Sequence, residues 1–338
     1  MSLYAKGVRR YEQMRFDQEL RRSRLPFAWG LEHIGGDADH SNPRGFLEQF
    51  AEKTMSDSDT WYGGAPAGDY AVEDDVLTFT SCVASPWREN NRVHGQIFRA
   101  GNSGAAVVVL AQWNSGWDEQ QSVCRWLNKL GITAVKMSLP YHDRRAVPGH
   151  PRADHLVGPN IGLTIQANRQ AVADVRRTLR WLEQQGYDRL GILGTSIGSC
   201  IGFITMCHEP TVRAAAFLHA STYFGDVVAT GMTTTNVWES LAPAVSTEEL
   251  RRYWMPISPF PYIGKLRGAG KKILAIAGRH DPTFSPKLTE MFFEKMRTEG
   301  IGFESLWLPC GHYSLGVTPF RQVAGYRFGK FLQRALVE

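Results

Sequence analysis

From Val76 onward the chain alternates short apolar runs with stretches whose apolar residues recur at helical spacing, the pattern of parallel strands joined by crossover helices. Val76 to Val83 and Arg92 to Arg99 alternate loosely and predict an antiparallel-type edge pair. Ala105 to Ala111 is apolar throughout, as a strand covered on both faces must be. A helix over Asp118 to Leu130 stops at Gly131, and Ile132 to Leu139 forms the next strand before Pro140 breaks it. Between Gly162 and Gln185, Ile165, Val172, Val175, Leu179 and Leu182 fall three, four or seven apart, so one helical face is buried up to the stop at Gly186. Leu190 to Leu193, Val212 to His219, Lys272 to Ala277 and Phe303 to Leu308 read as strands, and Ile197 to Cys207 as an apolar helix. A closing helix presents Ala324, Phe328, Phe331, Leu332 and Ala335 on one face. The prediction is an α/β fold with a mostly parallel eight-stranded sheet flanked by helices.

Two regions break this alternation. Residues 1–75 are polar and aromatic, with glycine pairs beginning at Gly35 and Gly63, and predict an N-terminal helical extension wrapped on a domain spanning 76–338. Residues 221–268 lack clear periodicity and carry Pro243, Pro256, Pro259 and Pro261 with Trp238 and Trp254, which predicts an inserted lid.

Composition changes this picture little. The 338 residues are 43% hydrophobic and 21% charged, as in ordinary globular chains. The net charge of +5 is dispersed among acids. Even Arg9 to Arg24, the most basic stretch, mixes signs like a solvated helix, so no nucleic-acid partner is expected. Cys82, Cys124, Cys200, Cys207 and Cys310 lie far apart without a CxxC pair, which argues against a disulfide framework or a zinc knuckle. The first thirty residues lack the apolar stretch of a signal peptide, and no run reaches 18 apolar residues. A cytoplasmic protein without a membrane span is expected; a native leader upstream of Met1-Ser2-Leu3 would escape this reading, and nothing in the sequence speaks to oligomeric state.

Chemistry enters at Gly194-Thr195-Ser196-Ile197-Gly198, a GxSxG that follows one predicted strand and opens one predicted helix. The chain must turn sharply there, leaving Ser196 strained with its hydroxyl exposed, and side chains at Gly194 and Gly198 would strike neighbouring backbone. The unpaired N–H groups at the start of the helix, Ile197 first, point to where negative charge develops on a substrate oxygen. A serine hydroxyl needs a base, and the base a carboxylate to hold its tautomer. The strand ending at Gly278 leads into Arg279-His280-Asp281-Pro282, and the last strand leads into Cys310-Gly311-His312-Tyr313, so Asp281 and His312 fall at the sheet edge that carries Ser196. His280 competes weakly with His312 as base, and Asp226, after the strand ending at His219, is the alternative acid. His142 and His150 follow an earlier strand and belong to the pocket or the surface.

With strand and helix order, elbow, acid loop and histidine loop in this sequence, the chain from about Val76 to its end resembles the alpha/beta-hydrolase superfamily, in a layout similar to dienelactone-hydrolase-like and peptidase-like esterases. The resemblance implies Ser196 as nucleophile, Asp281 as acid and His312 as base, acting without metal or cofactor on a small-molecule ester. Where relatives carry HGG or HGxxG to supply the second oxyanion donor, this chain has Gln112-Trp113-Asn114-Ser115-Gly116-Trp117, so the backbone N–H of Trp113 or Asn114 is expected in that role. Tyr141, His142 and Arg144, in the loop after Leu139, and Trp238 in the inserted segment are expected to line the substrate site, with structural ion pairing the alternative for Arg144 and Arg145. Peptidase, amidase or thioesterase chemistry on the same groups is the nearest rival, although 75 additional residues cannot form the propeller that prolyl-peptidase relatives carry. A binding protein that keeps the fold without turnover is the rival of another class.

Overall fold

The computed structural model describes residues 2–19, 24–37, 41–63, 65–101, 103–150 and 152–338. Part of the basic stretch, residues 20–23, and the second glycine of the pair at Gly63 thus lie outside the described residues. The strands are β1 (Ala71–Glu73), β2 (Val76–Thr80), β3 (Arg92–Phe98), β4 (Ala105–Leu110), β5 (Thr133–Met137), β6 (Arg189–Thr195), β7 (Val212–Leu218), β8 (Lys272–Gly278) and β9 (Glu304–Leu308). They form one sheet in the order β1-β2-β3-β5-β4-β6-β7-β8-β9. Pairing is antiparallel from β1 to β5 and parallel from β5 to β9. The sheet therefore has one strand more than the alternation of apolar runs predicts, because β1 is three exposed residues paired on β2 at the edge.

The helices are α1 (Leu3–Gln18), α2 (Pro43–Ser56), α3 (Ser58–Trp61), α4 (Gln121–Lys129), α5 (Ile161–Gln184), α6 (Ile197–His208), α7 (Phe224–Thr230), α8 (Thr235–Leu241), α9 (Thr247–Tyr253), α10 (Pro286–Thr298) and α11 (Phe320–Leu336). Their starts follow capping chemistry: Asn160 accepts from Leu163 N ahead of α5, and Ser246 and Glu249 close a capping box on α9. Gly131 and Gly186, both at positive φ, follow α4 and α5. Strand β4 divides the core. Ala106, Val108 and Leu110 pack with α5, α6 and α10, whereas Ala105, Val107 and Val109 pack with α4 and α11. Both faces of the central strands are thereby sealed, which is why β4 reads as an unbroken apolar run.

Residues before β1 supply α1, α2 and α3. Helix α1 buries Ala5, Val8 and Glu12. Helix α2 packs beside α9, Arg44 donates to Ala244 O at 2.8 Å, and Tyr62 donates to Pro256 O at 2.7 Å. The segment between β7 and β8 is built from short helices rather than an irregular loop. Its later part is core: Tyr253, Trp254, Ile257 and Ile263 are at most 1% exposed. Among the described residues no helix is long and apolar enough to cross a membrane.

Candidate active site

Strands β6, β7, β8 and β9 lie side by side in parallel, and the loops leaving them bring together side chains remote in sequence. Ser196 sits between β6 and α6 at φ 56° and ψ −121°, a conformation a side-chain-bearing residue occupies only when its surroundings hold it there. The flanking glycines show what holds it. A Cβ on Gly194 would lie 2.4 Å from Gly198 O, and a Cβ on Gly198 would lie 2.3 Å from Leu110 O, so the turn packs directly on backbone.

Ser196 Oγ lies 3.1 Å from His312 Nε2, and His312 Nδ1 lies 3.0 Å from Asp281 Oδ2. The other carboxylate oxygen of Asp281 accepts from Thr283 N and Phe284 N, both at 2.8 Å, which fixes the carboxylate plane. Burial opposes ionisation of Asp281, yet the charges and hydrogen bonds of His312 and His219 outweigh it and hold the carboxyl well below the usual range. Burial likewise opposes the imidazolium of His312, but the Asp281 carboxylate raises its pKa above the ordinary 6.5. The ring of Phe284 stacks on His312 with centroids 5.4 Å apart, limiting its rotation.

Two neighbours carry no motif. His219, just past β7 at φ 63°, places Nδ1 2.7 Å from the same Asp281 Oδ2 and its ring 4.4 Å from that of His312. Burial, the larger effect, holds its pKa below the ordinary value against the pull of Asp281. A polar residue at the end of the strand beside the one that leads into Ser196 is the one sequence signal that marks it. Glu12, on α1, is fully buried and accepts from Tyr313 N at 2.8 Å and Ser314 N at 2.9 Å, next to His312. Among the described residues, His219, Asp281 and His312 form the one group of three with potential ligand atoms within 4.8 Å of one another. Both imidazoles thus approach a single carboxylate oxygen, His219 Nδ1 at 2.7 Å and His312 Nδ1 at 3.0 Å.

Ser196, His312 and His219 open on a cleft of about 480 Å³ walled by apolar side chains, among them Val227, Val228, Phe284, Leu315 and Phe328. Trp113 and Ile197 also border it, and neither backbone N–H has an acceptor among the described residues. Asn114 differs. Its N–H donates to His142 Nε2 at 2.8 Å and its Oδ1 accepts from Ala153 N at 2.9 Å, so its backbone donor is already used.

The other expected lining residues lie elsewhere. His142 is buried behind the Trp113-Asn114 turn, with Nδ1 donating to Pro140 O at 2.9 Å. Tyr141 is wedged against Trp87 and His155, and Arg144 lays its guanidinium 4.0 Å over the Trp117 ring. Trp238 packs half-buried on the main core. Only the first part of the 221–268 segment, Ser221 to Thr234, faces the cleft. The ligand-lining expectation fails for the loop after β5 because its side chains fold back to brace backbone: Arg145 is fully buried, bonds Asn90 O and Ser138 O, and pairs with Asp174 at 2.9 Å. Asp226 is held by Arg251 through two 2.7 Å bonds, away from either imidazole. His280 stands beside Tyr4, and His150 beside His155.

Comparison with solved structures places the fold among hydrolases. The Pyrococcus furiosus esterase Pf2001 shares 18% identity with a TM-score of 0.54, over 79% of this chain and 92% of that one. Acetyl xylan esterase 1 from Thermoanaerobacterium sp. JW/SL YS485 shares 14% identity with a TM-score of 0.58, over 87% of this chain and 94% of that one. An acylaminoacyl peptidase from Pyrococcus horikoshii shares 11% identity with a TM-score of 0.59, over 82% of this chain but 50% of the peptidase. Comparison with curated proteins finds no sequence match. Residues 163–335, just over half of the chain and including Ser196, Asp281 and His312, match the prolyl oligopeptidase family. The chain belongs to that family, and so to the serine hydrolases of the alpha/beta-hydrolase superfamily.

Proposed function

We propose that this protein hydrolyses carboxylic esters by two-step acyl transfer on Ser196, His312 and Asp281. The observation that carries the reading is the unbroken hydrogen-bonded path from Ser196 Oγ through His312 to Asp281, opening on an apolar cleft. Ser196 Oγ attacks the ester carbonyl while His312 Nε2 takes its proton; Asp281 holds Nδ1–H and stabilises the imidazolium. The tetrahedral oxyanion is received by the backbone N–H groups of Ile197 and Trp113, which have no acceptor among the described residues. Collapse of the intermediate expels the alcohol, protonated by His312. Water, deprotonated by the same imidazole, then releases the acid and restores the Ser196 hydroxyl. The apolar wall suits an aliphatic or aryl acyl group.

Ester cleavage is favoured over peptide cleavage by the extent of the likeness: the chain matches two esterases over more than nine tenths of their length and the acylaminoacyl peptidase over half. Family membership favours amide or peptide cleavage as the second reading. Parallel assays on p-nitrophenyl esters and on aminoacyl p-nitroanilides separate them. The proposal expects ester turnover with no anilide hydrolysis above the rate of the Ser196→Ala protein; clear anilide turnover that depends on Ser196 would transfer the assignment to the peptidase reading.

A further inference from the structure

Helix α1 carries a carboxylate for which the acyl-transfer scheme has no use. Glu12 lies about three hundred positions from the residues it bonds, is 0% exposed, and reaches both backbone N–H groups that follow His312. A buried carboxylate without partners is costly, and two charge-assisted hydrogen bonds to adjacent amides are what compensates it. The fit leaves no slack: a Cβ on Gly311 would stand 2.4 Å from Glu12 Cδ, so the residue before His312 must be glycine for the carboxylate to enter. The same helix tethers the preceding turn, where the Tyr4 hydroxyl donates to Pro309 O, and contributes Tyr11 and Arg15 to the cleft wall.

We infer that Glu12 is a positioning residue for the general base: it clamps the Tyr313 and Ser314 amides, fixes the loop that presents His312, and adds a negative charge beneath the imidazole. The inference rests on the assignment of His312 as base. The groups that face this imidazole are Asp281 from the loop after β8, His219 from the end of β7, Ser196 from the elbow, and Glu12 and Glu19 from α1 and the residues after it. Glu12 and Glu19 favour the imidazolium alongside the stronger effect of Asp281. Removing the charge of Glu12 makes protonation of His312 less favourable, so the acid limb of the rate profile moves to lower pH. Withdrawing the clamp lets the imidazole drift from Ser196, and losses on the order of tenfold accompany small displacements of that kind.

The test compares Glu12→Gln, Glu12→Asp and, as a control on the exposed face of α1, Asp17→Asn, with rates normalised to the fraction of Ser196 that a fluorophosphonate labels. Glu12→Gln is expected to lower kcat about tenfold with KM nearly constant, and to shift the acid limb of kcat/KM downward. Glu12→Asp keeps the charge but recedes by one methylene, so it lowers kcat while its acid limb stays nearer that of the parent. Asp17→Asn changes neither. Variants that lose melting temperature yet keep the parental kcat and acid limb per labelled serine would overturn the inference, whereas failure of the parent itself to label would overturn the triad assignment. If neither Glu12 variant folds, hydrogen exchange on the parent decides: slow Tyr313 and Ser314 amides that open together with α1 support the clamp, and fast exchange at both refutes it.

Discussion

Replacing His142 by leucine should uncouple two quantities, the placement of the oxyanion donor proposed at Trp113 and the pH dependence of stability. His142 accepts the Asn114 N–H at Nε2 and donates from Nδ1 to Pro140 O, so the ring is neutral, and Asn114 is kept in its left-handed turn at φ 61° beside Trp113. Burial is the main reason its pKa lies at about 4; the Pro140 carbonyl opposes this, and the charges of Arg145 and Lys136 reinforce it. The folded value is thus depressed below the unfolded 6.5. Stability from the neutral ring is fully present above 6.5 and is lost as pH falls from 6.5 to about 4, which amounts to roughly 3 kcal/mol. At neutral pH the leucine variant strands the buried Asn114 N–H at a cost of about 1–3 kcal/mol. Because leucine binds no proton, the parent's advantage at pH 7 should shrink by about 3 kcal/mol at pH 4, vanishing or reversing. Urea unfolding of both proteins across this range measures the difference. If the freed turn also displaces Trp113 N–H, kcat on a p-nitrophenyl ester should fall about 10- to 100-fold, within the worth of one oxyanion donor. His142→Gln, whose side-chain oxygen can accept the same N–H, should recover part of it. A stability gap that stays constant from pH 7 to pH 4, together with parental kcat, would refute the reasoning.

Other consequences are sharper but narrower. Asp281→Asn should lower kcat/KM by about 10³- to 10⁴-fold through loss of the correct imidazole tautomer, while Asp226→Asn, which breaks only the Arg251 pair, should leave kcat within about twofold; ester hydrolysis distinguishes the two candidate acids directly. Asp174→Ala should cost about 3–5 kcal/mol in chemical denaturation, because it leaves the Arg145 guanidinium buried and unpaired. Since Asp281 raises the pKa of His312, kcat/KM should rise with pH through a midpoint above 6.5, and a midpoint well below that value would contradict the pairing.

Much of the fold could be read from the chain because its central strands are sealed on both faces and its long helices show one buried face. The unbroken apolar run of β4 and the spacing of apolar residues in α5 are direct records of that burial. Three-residue β1, exposed throughout, leaves no such record, and α7, α8 and α9, seven residues each, are too short for helical spacing to emerge. The GxSxG, with its position between a strand and a helix, announces its steric needs locally, and Asp281 and His312 each follow a strand, in the chain order of alpha/beta-hydrolases. Contacts made across long separations are another matter. Nothing near Glu12 distinguishes it from the other charged residues of α1, and its meaning lies in two amides at the far end of the chain. His142 looks like a pocket residue because it follows a strand end, but its ring turns inward to Asn114, a choice set by packing and not by local sequence. For the same reason Arg145 and Arg251 serve carboxylates of the protein rather than of a substrate.

The most direct measurement is to treat the folded protein with a fluorophosphonate at neutral pH and locate the adduct by peptide mass spectrometry, alongside initial rates on p-nitrophenyl acetate for the parent and Ser196→Ala. The account predicts a single adduct on Ser196 and a loss of at least about 10³-fold in the alanine protein. An adduct elsewhere, or an alanine protein that turns over the ester at the parental rate, would contradict it.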